Sequence, residues 1–276
     1  MFSRIDMHIH TIASDGEDSI SEIIELARAI PLEYIAITDH DTISGLQKYY
    51  EQSYCEYPII INGIEMTCGY DPEIHILGHF IDIYNPHLLE ILNEFQKSRV
   101  RRSLAFLRNL RKDYPVIKLH DIMRQYKSYS TDAITQYMID IQLVQNESEA
   151  KERFFNAESK YYLAPIYIEP AKAIEAIKSS GGIASLAHLC RIDVTNETLR
   201  TLITELKQYG LEALEIYHSL YTADQINHYS ELASYFHLLR IGGSDYHGSR
   251  RMNILGSPYN ISSELVDKIL LKIGRD

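Results

Sequence analysis

Short β-branched runs in this chain repeatedly end on histidine or acid, and no other feature constrains the fold as strongly. The runs are "DMHIHTIASDG" from Asp6, "EYIAITDHD" from Glu33, "PIIINGIEMT" from Pro58, "EIHILGHFIDI" from Glu73, "IASLAH" from Ile183 and "LLRIGGSDYH" from Leu238. Buried ionisable groups are tolerated only when paired or bound to a cation. A fold that brings several strand ends to one place satisfies that demand, and a parallel α/β barrel does so at the face where its strands end. Helical patterns fill the intervals. Ser19 and Glu22 stand in capping-box spacing ahead of "ISEIIELARAI", Pro170 opens "PAKAIEAIKSSGG", "ETLRTLITELKQYG" follows, one helix opens at Thr222, and a last one is predicted near Ser263 to Ile273. Alternating strands and helices predict a mainly parallel sheet or barrel.

Alternation within the first run places Ile5, Met7 and Ile9 on one strand face and Asp6, His8 and His10 on the other. Asp245 and His247 share the same spacing of two, so each pair is expected to project together. Gly69 to Pro72 read as a hairpin turn between the third and fourth runs. From Pro86 to Lys160 the texture is helical, with Leu89, Leu92, Phe95, Val100, Leu104 and Leu107 at helix spacing. The expected organisation is a barrel formed by residues 1–85 and 161–276, interrupted by a small α-helical insert at 86–160.

A chain of 276 residues that is 45% hydrophobic buries a large core. Its net charge of -11 disfavours sequence-blind binding of long nucleic acid. Cys55, Cys68 and Cys190 are too scattered for a disulfide framework or a thiolate zinc knuckle. No run has the ~20 apolar residues of a membrane span, and the start lacks a signal-peptide pattern, so a cytoplasmic protein is expected. Twelve histidines and no tryptophan skew the composition towards imidazole. Imidazole with carboxylate suits zinc, manganese or iron, and a cluster of this size has room for more than one ion.

The motifs "DMHIHTIASDG", "TDHDT", "GIEMT", "EIHILGHF", "SLAHLCR" and "GGSDYHG" occur in the order seen in the polymerase and histidinol phosphatase (PHP) family of metal-dependent phosphoesterases, which the chain resembles everywhere except the helical block. The block resembles the insert of a bacterial branch that hydrolyses nucleoside 3',5'-bisphosphates and trims short RNA from its 5' end. The resemblance implies a distorted (β/α)7 barrel with three divalent ions. His8, His10, Glu65 and Asp245 would hold the first. Glu65 would bridge to a second on His75 and His188, and Asp15, His40 and His247 would hold the third. It also implies hydrolysis of a small phosphate monoester by metal-activated hydroxide. Asp39, Asp41 and Asp6 are candidates to orient the imidazoles, since metal-bound histidines usually donate their other N–H to a carboxylate or carbonyl. His218, with Tyr217 and Ser219, is a candidate for the pocket wall.

Arginine suits phosphate because of its fork of donors. Candidates are Arg191, Arg250, Arg251 and the insert segment "KSRVRRSLAFLRNLRK", where Arg99, Arg101, Arg102 and Arg108 stand among seven cations with no acid between them. That segment is expected to act as a basic lid, although exposed arginines on a helix are more often a solvated face. The branch usually carries an arginine and a histidine where this chain reads Thr131, Asp132 and Ala133. That departure leaves a simpler nucleotide or sugar phosphate open as substrate. His79, His87, His120, His228 and His237 are read as ordinary hydrogen-bonding residues. Histidinol phosphatase and a catalytically silent metal-stabilised binding module are the alternatives.

Overall fold

The computed structural model describes residues 4–126, 129–192, 195–249, 251, 253–257 and 271. Strand β1 (Ile5–Ile9) leads to α1 (Ile20–Ala29), β2 (Tyr34–Ile37), α2 (Ser44–Gln52), β3 (Ile59–Cys68) and β4 (Ile74–His79). A helical stretch follows: α3 (Pro86–Asp113), α4 (Leu119–Tyr126), α5 (Thr131–Asp140) and α6 (Glu147–Ala150), with one π turn at Lys151–Phe155. The strand and helix rhythm then resumes with α7 (Pro170–Ser179), β5 (Ile183–Leu186), α8 (Asn196–Tyr209), β6 (Ala213–His218), α9 (Ala223–Tyr235) and β7 (Leu239–Gly243). The expected last helix near Ser263 lies outside the described residues.

Local chemistry explains the helix ends. Ser19 and Thr222 each cap a helix and form capping boxes with Glu22 and Gln225. Pro170 occupies the first turn of α7, where its missing N–H costs nothing. Gly210 ends α8 at φ 107°, a conformation that side chains with a Cβ resist.

The seven strands form one sheet in sequence order. Neighbours are parallel except for β4, which runs antiparallel to both β3 and β5. The hairpin at Gly69 to Pro72 is therefore present, and it inverts one strand of an otherwise parallel barrel. After β7 the chain pairs back onto β1, with His10 N donating to Tyr246 O at 2.9 Å and Tyr246 N to His8 O at 3.3 Å. The barrel is nearly closed, as the expected distorted (β/α)7 fold requires.

One apolar cluster receives residues from every strand: Ile5, Met7, Tyr34, Ala36, Ile61, Leu77, Ile183, Ala213 and Ile241. The strict alternation expected of β1 fails here. Ile5 and Met7 join the cluster, yet His8 and His10 also reach the functional site, because the pairing of β1 with β2 slips between Asp6 and Ile9. Asp6 is accordingly not beside the histidine rings. Its buried carboxylate accepts from the amides of Ser244 and Gly256.

The chain divides into two compact units, Met1–Leu92 with Ile168–Asp276, and Asn93–Tyr167. The second has its own core, in which Phe106, Leu107, Leu110, Ile122, Ile134, Met138 and Phe154 are buried together. Among the described residues no helix is long and apolar enough to cross a membrane.

Candidate metal centre

Glu65, fully buried near the end of β3, is the hub of the site. Its Oε2 lies 3.3 Å from His8 Nε2, 3.1 Å from His10 Nε2 and 3.1 Å from His40 Nδ1. Its Oε1 lies 2.8 Å from His188 Nε2 and 3.0 Å from His75 Nδ1. Asp245 Oδ1 stands 3.4 Å from both His8 Nε2 and His10 Nε2. Asp15 Oδ1 faces His247 Nε2 at 3.3 Å, with His10 and His40 at 3.7 and 3.8 Å. Groups able to hold an ion therefore form around His8, His10, Glu65 and Asp245, around His40, Glu65 and His75, and around His10, Asp15, His40 and His247. His188 adjoins the second of these through Glu65 and through His75, 3.2 Å away.

Backbone geometry explains how residues so far apart in sequence meet. His8 rides on β1, His10 directly follows it, and His40 follows β2. His75 is the second residue of β4, not near its end: because that strand is inverted, its beginning lies where the other strands finish. The same inversion carries His79 to the opposite end, where its Nε2 donates to Met7 O at 2.7 Å. Asp245 and His247 are not a strand pair, since β7 stops at Gly243 and Asp245 has φ 56°. The turn sends them to different ligand groups. Asp41 (φ 52°) and His188 (φ 25°) also sit in left-handed backbone, a cost of order 1–3 kcal/mol each that clusters at functional sites.

The donor chemistry fits cations. His8 Nδ1 faces Glu215 Oε1 at 2.9 Å and His247 Nδ1 faces Asp245 O at 2.7 Å, so each ring donates outward and turns the lone pair of Nε2 inward. Two imidazole nitrogens, His8 Nε2 and His10 Nε2, approach to 3.1 Å. Buried His10 Nδ1, His40 Nδ1, Glu65 Oε2 and His247 Nε2 make no aligned hydrogen bond, although Glu65 Oε2 lies close to His10 and His40, and His247 Nε2 close to Asp15. A pocket of inward-facing acceptors has no stable arrangement in water-excluded surroundings without positive charge, and divalent ions provide it. Without ions the cluster shifts its groups in both directions. Burial drives the His40 imidazole down to about 3. Burial also opposes charge on Glu65, but His40, His8 and His75 hold its carboxyl well below the usual range. His75 is held up at about 10 by Glu65 and Glu73 in spite of burial.

Asp39 accepts from Thr11 N (2.8 Å), Thr11 Oγ1 (2.8 Å) and Ser14 Oγ (2.6 Å), so it shapes the loop after β1. Asp41 accepts from Thr67 N at 2.8 Å. A carboxylate that faces a ring of the cluster on its outer nitrogen stands at another position. That position belongs to Glu215, which also accepts from His188 N at 2.5 Å, and which sequence reading passed over. The available signal was an acid at a buried position of the apolar run "LEALEIYH". His218 Nδ1 accepts from Leu220 N at 3.1 Å and its Nε2 lies 3.6 Å from Asp245 Oδ2. Arg191 Nη2 meets Asp245 Oδ2 at 2.6 Å and Arg251 Nη2 meets Asp15 Oδ2 at 2.7 Å. Arg250 lies outside the described residues. In the second unit Arg102 donates to the carbonyls of Leu163 and Ala164, Arg99 lies over the Phe95 ring, and Arg101 and Arg108 stand exposed on α3.

Fold and site together define a class: an α/β barrel built to hold cations against an anionic substrate. The sequence matches the model of the PHP domain over residues 6–271, and the chain belongs to that family. It is 28% identical over 254 residues to a 5'-3' exoribonuclease of Haemophilus influenzae, covering 90% of this chain and 91% of that one. A phosphoribosyl 1,2-cyclic phosphate 1,2-diphosphodiesterase of Eggerthella lenta is 28% identical over 256 residues, 88% of this chain and 94% of that one. A 3',5'-nucleoside bisphosphate phosphatase of Chromobacterium violaceum is 23% identical over 249 residues, 89% and 87% of the two chains. Among solved structures, a protein of Bifidobacterium adolescentis provisionally described as a metal-dependent phosphoesterase superposes with a TM-score of 0.76 at 28% identity, covering 99% of both chains. The protein is an enzyme of the metal-dependent phosphoesterase class.

Proposed function

We propose that the protein hydrolyses a phosphate ester of a small nucleotide, either a nucleoside 3',5'-bisphosphate or the 5' end of a short RNA, using three divalent cations. The observation that carries this reading is the inward-facing acceptor set around Glu65, with buried imidazole and carboxylate atoms that make no aligned hydrogen bond. His8, His10, Glu65 and Asp245 would hold one ion, Glu65, His75 and His188 a second, and Asp15, His40 and His247 a third. When bound, such ions offset the charge of a phosphoryl group and lower the pKa of bound water towards ~7. The protein's own groups orient and donate. Glu215 fixes the His8 ring and the backbone of His188. His218 accepts at Nδ1 from a backbone amide, so its neutral ring carries the proton on Nε2, beside Asp245. That N–H is the donor we assign to the phosphoryl or leaving oxygen.

The nucleotide class is supported by the exoribonuclease and bisphosphate phosphatase among the relatives. The Eggerthella relative acts on a cyclic phosphate, so a cyclic phosphodiester belongs in the same test. Phosphate release, with manganese, zinc or iron(II) restored to metal-stripped protein, is measured on adenosine 3',5'-bisphosphate, a 5'-phosphorylated trinucleotide, a ribose cyclic phosphate, AMP and histidinol phosphate. Highest kcat/KM on one of the first two is expected. Preference for histidinol phosphate or the cyclic ester contradicts the substrate assignment, and silence on all five with ions bound favours a binding module.

A further inference from the structure

Each aspartate of the cluster divides its carboxylate between an imidazole group and an arginine. Asp15 turns Oδ1 to His247, His10 and His40, and gives Oδ2 to Arg251 Nη2 at 2.7 Å. Asp245 turns Oδ1 to His8 and His10, and gives Oδ2 to Arg191 Nη2 at 2.6 Å. The two cases differ in what else restrains them. Asp245 is buried, whereas the Asp15 side chain is 33% exposed on the loop after β1. Arg251 is thus the contact that fixes which oxygen of Asp15 faces inward.

That contact is the outermost link of a seam between two loops. Tyr246 Oη donates to Asp18 Oδ2 at 2.7 Å, Glu17 N to His247 O at 2.9 Å, and Ser249 N and Oγ to Glu17 Oε2 at 3.0 and 3.2 Å. Gly248, at φ 112°, lets the loops approach, since a Cβ there would come within 2.5 Å of Glu17. The seam joins the loop that carries Asp15 to the loop that carries His247, and these residues belong to one ligand group.

We propose that Arg251 is a positioning residue for the ion held by Asp15, His40 and His247, and that its role in the enzyme is to hold that carboxylate ready and not to grip substrate. The proposal rests on the metal reading above. A guanidinium repels a nearby cation but pins the carboxylate by a charge-assisted bond, and loss of such outer partners typically weakens metal affinity 10–100-fold.

The test is a Co2+ titration of metal-stripped wild type, Arg251→Ala, Arg251→Lys and Arg251→Gln, followed by visible absorption and chelator competition, with circular-dichroism melts to verify folding. In Arg251→Ala one of three equivalents is expected to weaken about 10–100-fold while the others keep their affinity. Arg251→Lys, whose ammonium can still donate to Oδ2, recovers part of the loss. If Arg251→Ala does not fold, the Lys and Gln variants carry the comparison, with Gln the weaker binder. Unchanged binding of all equivalents with a raised KM makes Arg251 a phosphate clamp and overturns the proposal. Equal weakening of every equivalent overturns it as well, by showing general loosening. Wild type that binds no Co2+ removes the metal reading itself, a failure distinct from either.

Discussion

His8 Nδ1 lies 2.9 Å from Glu215 Oε1 with both side chains fully buried, which makes β6 the support on which the β1 histidine is aimed. Full burial opposes charge on Glu215, and the imidazoles of His8, His218 and His188 hold its carboxyl below the usual range. Glu215→Ala leaves the His8 ring N–H and the His188 amide without an acceptor, at about 1–3 kcal/mol for each unpaired group. Glu215→Gln keeps the volume but loses the charge. Metal content after dialysis and thermal melts should show both variants binding ions 10–100-fold more weakly, with only the Ala variant strongly destabilised. Full metal retention by both would contradict the support role.

His218 presents an N–H, not a lone pair, so it is expected to act on substrate without binding an ion. His218→Asn should lower kcat by roughly 10²–10⁴-fold while metal content stays at the wild-type level. Atomic emission on the same sample used for kinetics separates the outcomes, because loss of an ion in step with activity would make His218 a ligand.

Gly243 sits where β7 returns to β1, and a Cβ there would come within 2.4 Å of His8 N and Cβ. These are backbone and near-backbone atoms that cannot turn aside. Gly243→Ala should cost about 1–3 kcal/mol or more and displace His8, so stability and metal content fall together. Gly181→Ala is the comparison. Nothing lies within 4 Å of its Cβ position and only its φ of +77° resists substitution, so it should lose stability of order 1–2 kcal/mol and keep its ions.

The barrel was legible in the sequence because its strands are marked by β-branched runs and its helices by caps, and Ser19, Pro170 and Thr222 stand where those caps were read. What escaped was geometry that breaks a local rule. The slip between Asp6 and Ile9 has no residue signature, so strict alternation grouped Asp6 with His8 and His10, whereas its carboxylate binds the Ser244 and Gly256 amides. Left-handed backbone at Asp245 is likewise silent in a run that reads as strand. Glu215 was hidden because periodicity treats one acid in an apolar strand as an exception, whereas burial shows it to be the partner of His8.

His79 illustrates the reverse case, a histidine on the strand of His75 that serves structure alone. Burial depresses its pKa from 6.5 to about 4. Above pH 6.5 the ring is neutral in both folded and unfolded chains. Between pH 6.5 and about 4 the unfolded chain binds a proton that the folded chain refuses, so stability falls with falling pH by about 1.4 kcal/mol per pH unit, roughly 3 kcal/mol in all. Urea unfolding of metal-stripped wild type and His79→Gln across this range should show a shallower acid decline in the variant. Parallel declines would refute the assignment.

The central claim, that Glu65 is shared by divalent ions, is tested most directly by anomalous diffraction from a crystal of the manganese-loaded protein. Anomalous peaks are expected within about 2.0–2.4 Å of Glu65 carboxylate oxygens, one also touching His8, His10 and Asp245 and another His75 and His188. Catalytically active crystals with no peak beside Glu65 would contradict it.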